Sequence, residues 1–275
     1  MRLLFGRDST HKSGHVIAGE IGGFPPTVAT SAGARSVDTT TEEAKMNLRN
    51  PSTFRRQIGG AAMIVAPLVI VLAELLHGRF ETSAAEQIAV VTDNTGRWYA
   101  AHILVLVGLV LTVPAFLGLA RLLERSRPVI ANVSRLAFVP GLVALTSLAG
   151  MELVLWQMAQ PGRDRVEMVA LLESLNESAG IAPLFGFVLL FPVAWLLAGI
   201  GLYFARATPV WGAALIALSQ PVGFVSEFSG GPKWLAVAAQ IAFAIGLVPV
   251  GVRVLRQSDD AWEQRPVVAE VSSAE

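Results

Sequence analysis

The chain has 275 residues, 53% of them hydrophobic and 15% charged, with 21 basic and 21 acidic side chains and no cysteine. Soluble domains carry about 25% charged residues, so the deficit argues for the membrane class over a large soluble core. The balanced charge offers no basic tract for a nucleic-acid partner, and the lack of cysteine excludes disulfides, thiolate catalysis and thiolate metal sites.

Residues 1–50 are rich in Gly, Ser, Thr and charge, with Pro25-Pro26 in the middle and no sustained apolar period. They read as a disordered tail. Leu3, Leu4 and Phe5 make too short an apolar run for a signal peptide, and Arg7 and Asp8 interrupt it. A start at Met46 is an alternative and would place Arg49, Arg55 and Arg56 just before the first apolar run. His11 and His15 fall in the tail and are not ligand candidates. Lysine is confined to Lys12, Lys45 and Lys233, beside abundant arginine, alanine and valine, as a GC-rich bacterial genome would encode.

A bilayer core takes about 20 apolar residues of helix. Six stretches qualify: residues 57–77, 98–123, 136–158, 182–205, 210–228 and 233–252, the fifth being the least apolar. Lipid offers no partners for backbone groups, so each must be helical. Alternate connections receive Arg55 and Arg56, then Arg121, Arg125, Arg127 and Arg135, then Arg206, then Arg253 and Arg256. The opposite ends receive Arg79, Arg97, Arg163, Arg165 and Lys233. The richer side is expected in the cytoplasm. The expectation is an all-α polytopic bundle of six transmembrane helices, three hairpins over residues 51–256, with both termini cytoplasmic in a bacterial inner membrane. Residues 257–275 are expected to be a mobile tail. Trp98, Tyr99, Trp156 and Trp234 would form the outer aromatic belt, and Tyr203, Phe204 and Trp211 the inner one.

The outer connections 78–97 and 159–181 are long enough for surface helices. Ser83 and Glu86 form a capping box before Ile88, Val90 and Val91. Val166, Val169 and Leu172 recur at helical spacing in the other. Two amphipathic segments on the outer surface are expected. Their simplest role is to cover helix ends; the alternative is to roof an outward-facing cavity. Each span carries a proline: Pro67, Pro114, Pro140, Pro192, Pro221 and Pro249. Small residues recur at four-residue intervals, as in Ala238, Ala242 and Gly246, Ala213 and Ala217, and Ala194 and Ala198. Such stripes allow close helix approach and leave room for a homo-oligomer.

Ionisable residues inside spans are expensive, about 2.5 to 3.5 kcal/mol on insertion scales. Here they gather at one end: Glu74, His77, His102, Glu152 and Glu227, joined by Gln157, Ser219, Gln220, Ser226 and Gln240. The candidate polar pocket is Glu74, His77, His102, Glu152 and Gln240. Three readings compete. Glu74-Leu-Leu-His77 has the Glu-x-x-His spacing of carboxylate-bridged metal bundles, which with His102 and Glu152 makes a metal-dependent enzyme conceivable, although the motif has no second copy. His102 and Glu152 instead suit a proton or cation relay in an outward-open cavity, as in a small-molecule or ion transporter. A structural partner subunit is the third reading: Glu74, His77 and Glu227 would reach interfacial water while His102 and Glu152 bond each other or Gln240. No cofactor is implied, and the sequence leaves open whether the protein is an enzyme.

Overall fold

The computed structural model describes residues 50–81 and 83–263. Two compact units divide the chain, Met1–Lys45 and Met46–Glu275, and all described residues belong to the second. The expected N-terminal tail, with His11, His15 and the alternative start at Met46, lies outside the described residues. So does the chain beyond Glu263.

Ten helices and no strand occur among the described residues. They are α1 (Pro51–Leu76), α2 (Ala84–Asp93), α3 (Thr95–Leu123), α4 (Pro128–Met158), α5 (Arg165–Asn176), α6 (Ala182–Val188), α7 (Leu190–Ala205), α8 (Val210–Phe228), α9 (Lys233–Arg256) and α10 (Asp259–Glu263). Five segments are long and apolar enough to cross a bilayer: α1, α3, α4, α6 with α7, and α9. The chain is therefore an all-α, multi-pass membrane bundle. Helix α8 has the predicted bounds but falls short of the others in hydropathy, because Ser219, Gln220, Pro221, Ser226 and Glu227 interrupt its apolar residues.

Helices α1, α3 and α4 start before the predicted spans because hydropathy marks the lipid-facing stretch and not the helix. Asn50 caps α1, its side chain accepting from the Ser52 N–H at 3.0 Å, with Pro51 in the first turn. Pro128 opens α4 eight residues before the predicted span, through a polar turn that carries Arg135. The fourth span breaks between Val188 and Leu190. Pro192 has no N–H to give the Val188 carbonyl, so the helix restarts there.

The long helices close into a ring in the order α3, α1, α9, α8, α7, α4 and back to α3. Glycine makes several of these crossings possible. A Cβ on Gly251 of α9 would meet the Gly60 carbonyl of α1 at 2.7 Å, and one on Gly141 of α4 would collide with the Phe191 backbone of α7. The stripe on α9 differs from the predicted one. Ala238 is exposed, and the inward face is Ala236, Ala239, Phe243, Gly246, Leu247 and Val250.

Apolar side chains point outward, with Leu68, Leu72 and Leu75 on α1, Leu136, Val139 and Val143 on α4, and Leu218, Val222 and Val225 on α8. At the centre, Phe116 stacks on Phe138 at 4.0 Å between ring centroids, and Trp195 meets Phe116 and Phe243 edge-on at 4.9 and 4.6 Å. This buried aromatic cluster fills the arginine-rich half of the ring.

The segment after Gln257, expected to be a mobile tail, instead carries α10 docked on the arginine-rich end. Trp262 is 3% exposed and joins the main core. Asp259 bonds Thr53 and Arg56, and Glu263 pairs with Arg55 and Arg121, each at 3.0 Å.

Candidate functional site

The opposite end of the ring is polar inside. His77 caps the C-terminus of α1 and His102 lies two turns into α3. Both are buried, 7% and 2% exposed. Their Nε2 atoms face each other at 3.2 Å. The His77 Nδ1–H donates to the Gly78 carbonyl at 2.7 Å, and the His102 Nδ1–H donates to the Trp98 carbonyl at 2.8 Å. Carbonyls only accept, so both Nδ1 atoms carry hydrogens. Two neutral rings hold two N–H groups, whereas these three contacts use three. The Nε2–Nε2 approach thus has its own proton only when the pair takes one more. Trp98 holds the pair in place, its ring 4.7 Å from His102 and 5.1 Å from His77. Its Nε1–H donates to the Glu152 carbonyl of α4 at 3.2 Å, tying α3 to α4.

The carboxylates come from three other places on the ring wall. Glu74, one turn before His77 on α1, is bound by the Lys233 ammonium at the start of α9. Lys233 Nζ also lies 3.5 Å from Glu227 Oε1, near the end of α8, and that oxygen is 3.5 Å from His77 Nδ1. Glu152 differs: it has no ion pair among the described residues, and its buried Oε2 has no hydrogen-bond partner.

Glu74, His77, His102, Glu152 and Glu227 line one cavity of about 120 Å³ with Phe80 and Phe228. Two further cavities share its walls. One of about 140 Å³ runs deeper beside Glu74, Glu227, Gln220 and Gln240. The larger, about 500 Å³, extends outward past Glu152 and Glu227 to Gln87 of α2 and to Leu172 and Leu175 of α5. The two surface helices were expected, and Ser83 and Asp164 cap them. They form the wall of this cavity, beyond merely covering helix ends. Val166 departs from the predicted apolar face and is exposed, while Met168, Val169 and Leu172 pack against the small core around Trp98.

Four of the five predicted pocket residues, Glu74, His77, His102 and Glu152, therefore share one cavity. Gln240 sits in the adjoining one, where it accepts a hydrogen bond from Gln220 at 3.0 Å. Several expectations need correction. His102 and Glu152 do not bond each other or Gln240; His102 is taken up by His77 and Trp98. His77 is buried and does not reach interfacial water. Trp98 is 2% exposed and belongs to the site, not to the outer belt. Lys233, read only as an orientation marker, is the cation that links Glu74 to Glu227. Among the described residues no group of three His, Asp or Glu side chains is placed so as to hold a metal ion. Glu74 is already held by Lys233.

No protein-family model matches the chain, and neither a curated protein nor a solved structure is significantly similar to it. Fold and site together define the class of a multi-pass helical membrane protein with a polar cavity at one end.

Proposed function

We propose that this is a six-span protein of the bacterial inner membrane, both termini cytoplasmic, whose outward-facing pocket carries a small molecule or ion in exchange with protons. Arginine counts favour that orientation. The sixth span is supported by α8, which closes the ring between α7 and α9. It turns Ser219, Gln220 and Ser226 inward and Leu218, Val222 and Val225 outward, as lipid requires.

The observation that carries the reading is the convergence of five ionisable groups from four helices on one cavity, above a half-bundle filled by aromatic rings. A relay needs groups that gain and lose protons within reach of one another. The histidine pair has room for one more proton, and Glu227 Oε1 lies 3.5 Å from His77 Nδ1. An unpaired carboxylate such as Glu152 is neutralised by a proton or by a bound cation, but not by both.

Proteoliposomes with a pH dye trapped inside test this. Alkali cations, divalent cations, amino acids and organic amines are added in turn under an imposed pH gradient. One class is expected to drive proton flux through the wild type and none through Glu152→Gln. Silence with every class rules transport out, and undiminished flux in the variant rules out Glu152 as the coupling carboxylate.

A further inference from the structure

The 500 Å³ cavity is of the size that holds drug-like ligands, about 300 to 1,000 Å³. Its walls are apolar, with Leu148, Met151 and Leu155 of α4 facing Leu172 and Leu175 of α5. Three carboxylates reach it, Glu81, Glu152 and Glu227, and no Lys, Arg or His lines it among the described residues. Two of those carboxylates present buried oxygens without hydrogen bonds, Glu152 Oε2 and Glu227 Oε1. Glu227 has Lys233 nearby; Glu152 has no counter-ion among the described residues. Three phenyl rings stand beside them: Phe228 lies 6.1 Å from Phe80 and 5.9 Å from Phe185, and all three line the cavity. Aromatic faces next to carboxylates attract ammonium groups through the ring quadrupole. The buried Gln87 Nε2, also without an acceptor, reaches the same space.

We infer that this cavity binds a lipophilic organic cation, an ammonium on an apolar body, with Glu152 as its counter-ion and Phe80, Phe185 and Phe228 around the charged end. The inference rests on the pocket of the transport reading and names its ligand class. A hydrogen-bond acceptor on the body would meet Gln87. Anions are excluded by the charge of the walls. Small inorganic cations leave the apolar volume unused.

Dansylcadaverine suits the test: a primary amine on an aromatic sulfonamide, brighter out of water. Its N-acetyl derivative is neutral and nearly the same shape. Purified protein in phosphatidylcholine nanodiscs is expected to bind the amine and to bind the acetyl derivative about tenfold or more weakly, as loss of a charge-assisted partner predicts. Glu152→Gln should abolish the preference, and Leu175→Trp, which fills the cavity from the surface helix α5, should weaken both probes. Equal binding of the two probes, binding of neither, a preference retained in Glu152→Gln, or binding untouched by Leu175→Trp overturns the inference.

An aminophospholipid headgroup offers the same ammonium. If nanodiscs containing phosphatidylethanolamine leave dansylcadaverine affinity unchanged, the site is for free amines; if they suppress it competitively, the site is for the lipid. Binding without proton flux in proteoliposomes would end the transport reading and leave this site standing. Proton flux driven by another solute, with no amine binding, would do the reverse.

Discussion

Lys233 faces two carboxylates at once, Glu74 and Glu227, and the arrangement depends on its charge. Both partners are mostly buried, so removing the cation leaves negative charge without compensation. Lys233→Met should destabilise the protein by about 2 kcal/mol, allowing for the partial exposure of the pair. Adding Glu74→Gln should restore part of it, which thermal melts in detergent would read as a rise relative to the single variant. Equal melting of the single and double variants would mean that the ion pair is idle. The acids and imidazoles were visible in the sequence because each interrupts an apolar run near the same end. Their partners were not. Trp98 at a span boundary has the address of a belt residue, and only the rotation of α3 about its axis turns it inward against His77 and His102. Lys233 likewise sits where a charge marks a span end, and its reach to Glu74 depends on α9 lying beside α1.

Helix α10 shows at the level of the element what a hydropathy profile cannot see. Five residues are too few for a periodic signal, yet Trp262 enters the core beside Gly118 and acidic residues on either side of it meet the arginines of α1 and α3. Trp262→Ala should lower stability by about 3 kcal/mol, as for other buried aromatic truncations, and a melting temperature unchanged by the substitution would show that α10 does not dock. The Thr53 hydroxyl, then Arg56, holds the Asp259 carboxyl below its ordinary value. A depressed carboxylate contributes stability that is complete above the unfolded pKa and is lost as pH falls through the folded one. Amides of α10 should therefore be protected from hydrogen exchange at neutral pH and lose that protection below the normal aspartate range. Protection that persists there would mean that Trp262 alone holds the element. The long helices, by contrast, were legible as elements, since lipid demands unbroken apolar helix. The polar starts of α1 and α4, the last turn of α9 and the break at Leu189 were not legible.

For the whole molecule, the sequence carried the all-α, multi-pass character, because the bilayer sets the length of an apolar helix; five helical segments meet that length and hydropathy, and α8 falls short. The sequence did not carry the ring order, in which α1 sits between α3 and α9, since the close approaches through Gly60, Gly251 and Gly141 involve residues far apart in the chain. Nor did it reveal the aromatic filling: Phe116 and Phe138 each lie fourteen residues from a site residue, His102 and Glu152, or about 21 Å along their helices at 1.5 Å per residue. Together the ring and its filling make a cavity open at one end. A chain without cysteine is suited to testing this by single-cysteine labelling. Leu148→Cys, on the wall shared by the two cavities beside Glu152, should react with a water-soluble, membrane-impermeant thiol reagent applied outside intact cells, while Ala194→Cys, buried near Trp195, should stay unmodified from either side. An inert Leu148→Cys, or an Ala194→Cys that labels as fast, would contradict an outward-facing pocket sealed from below.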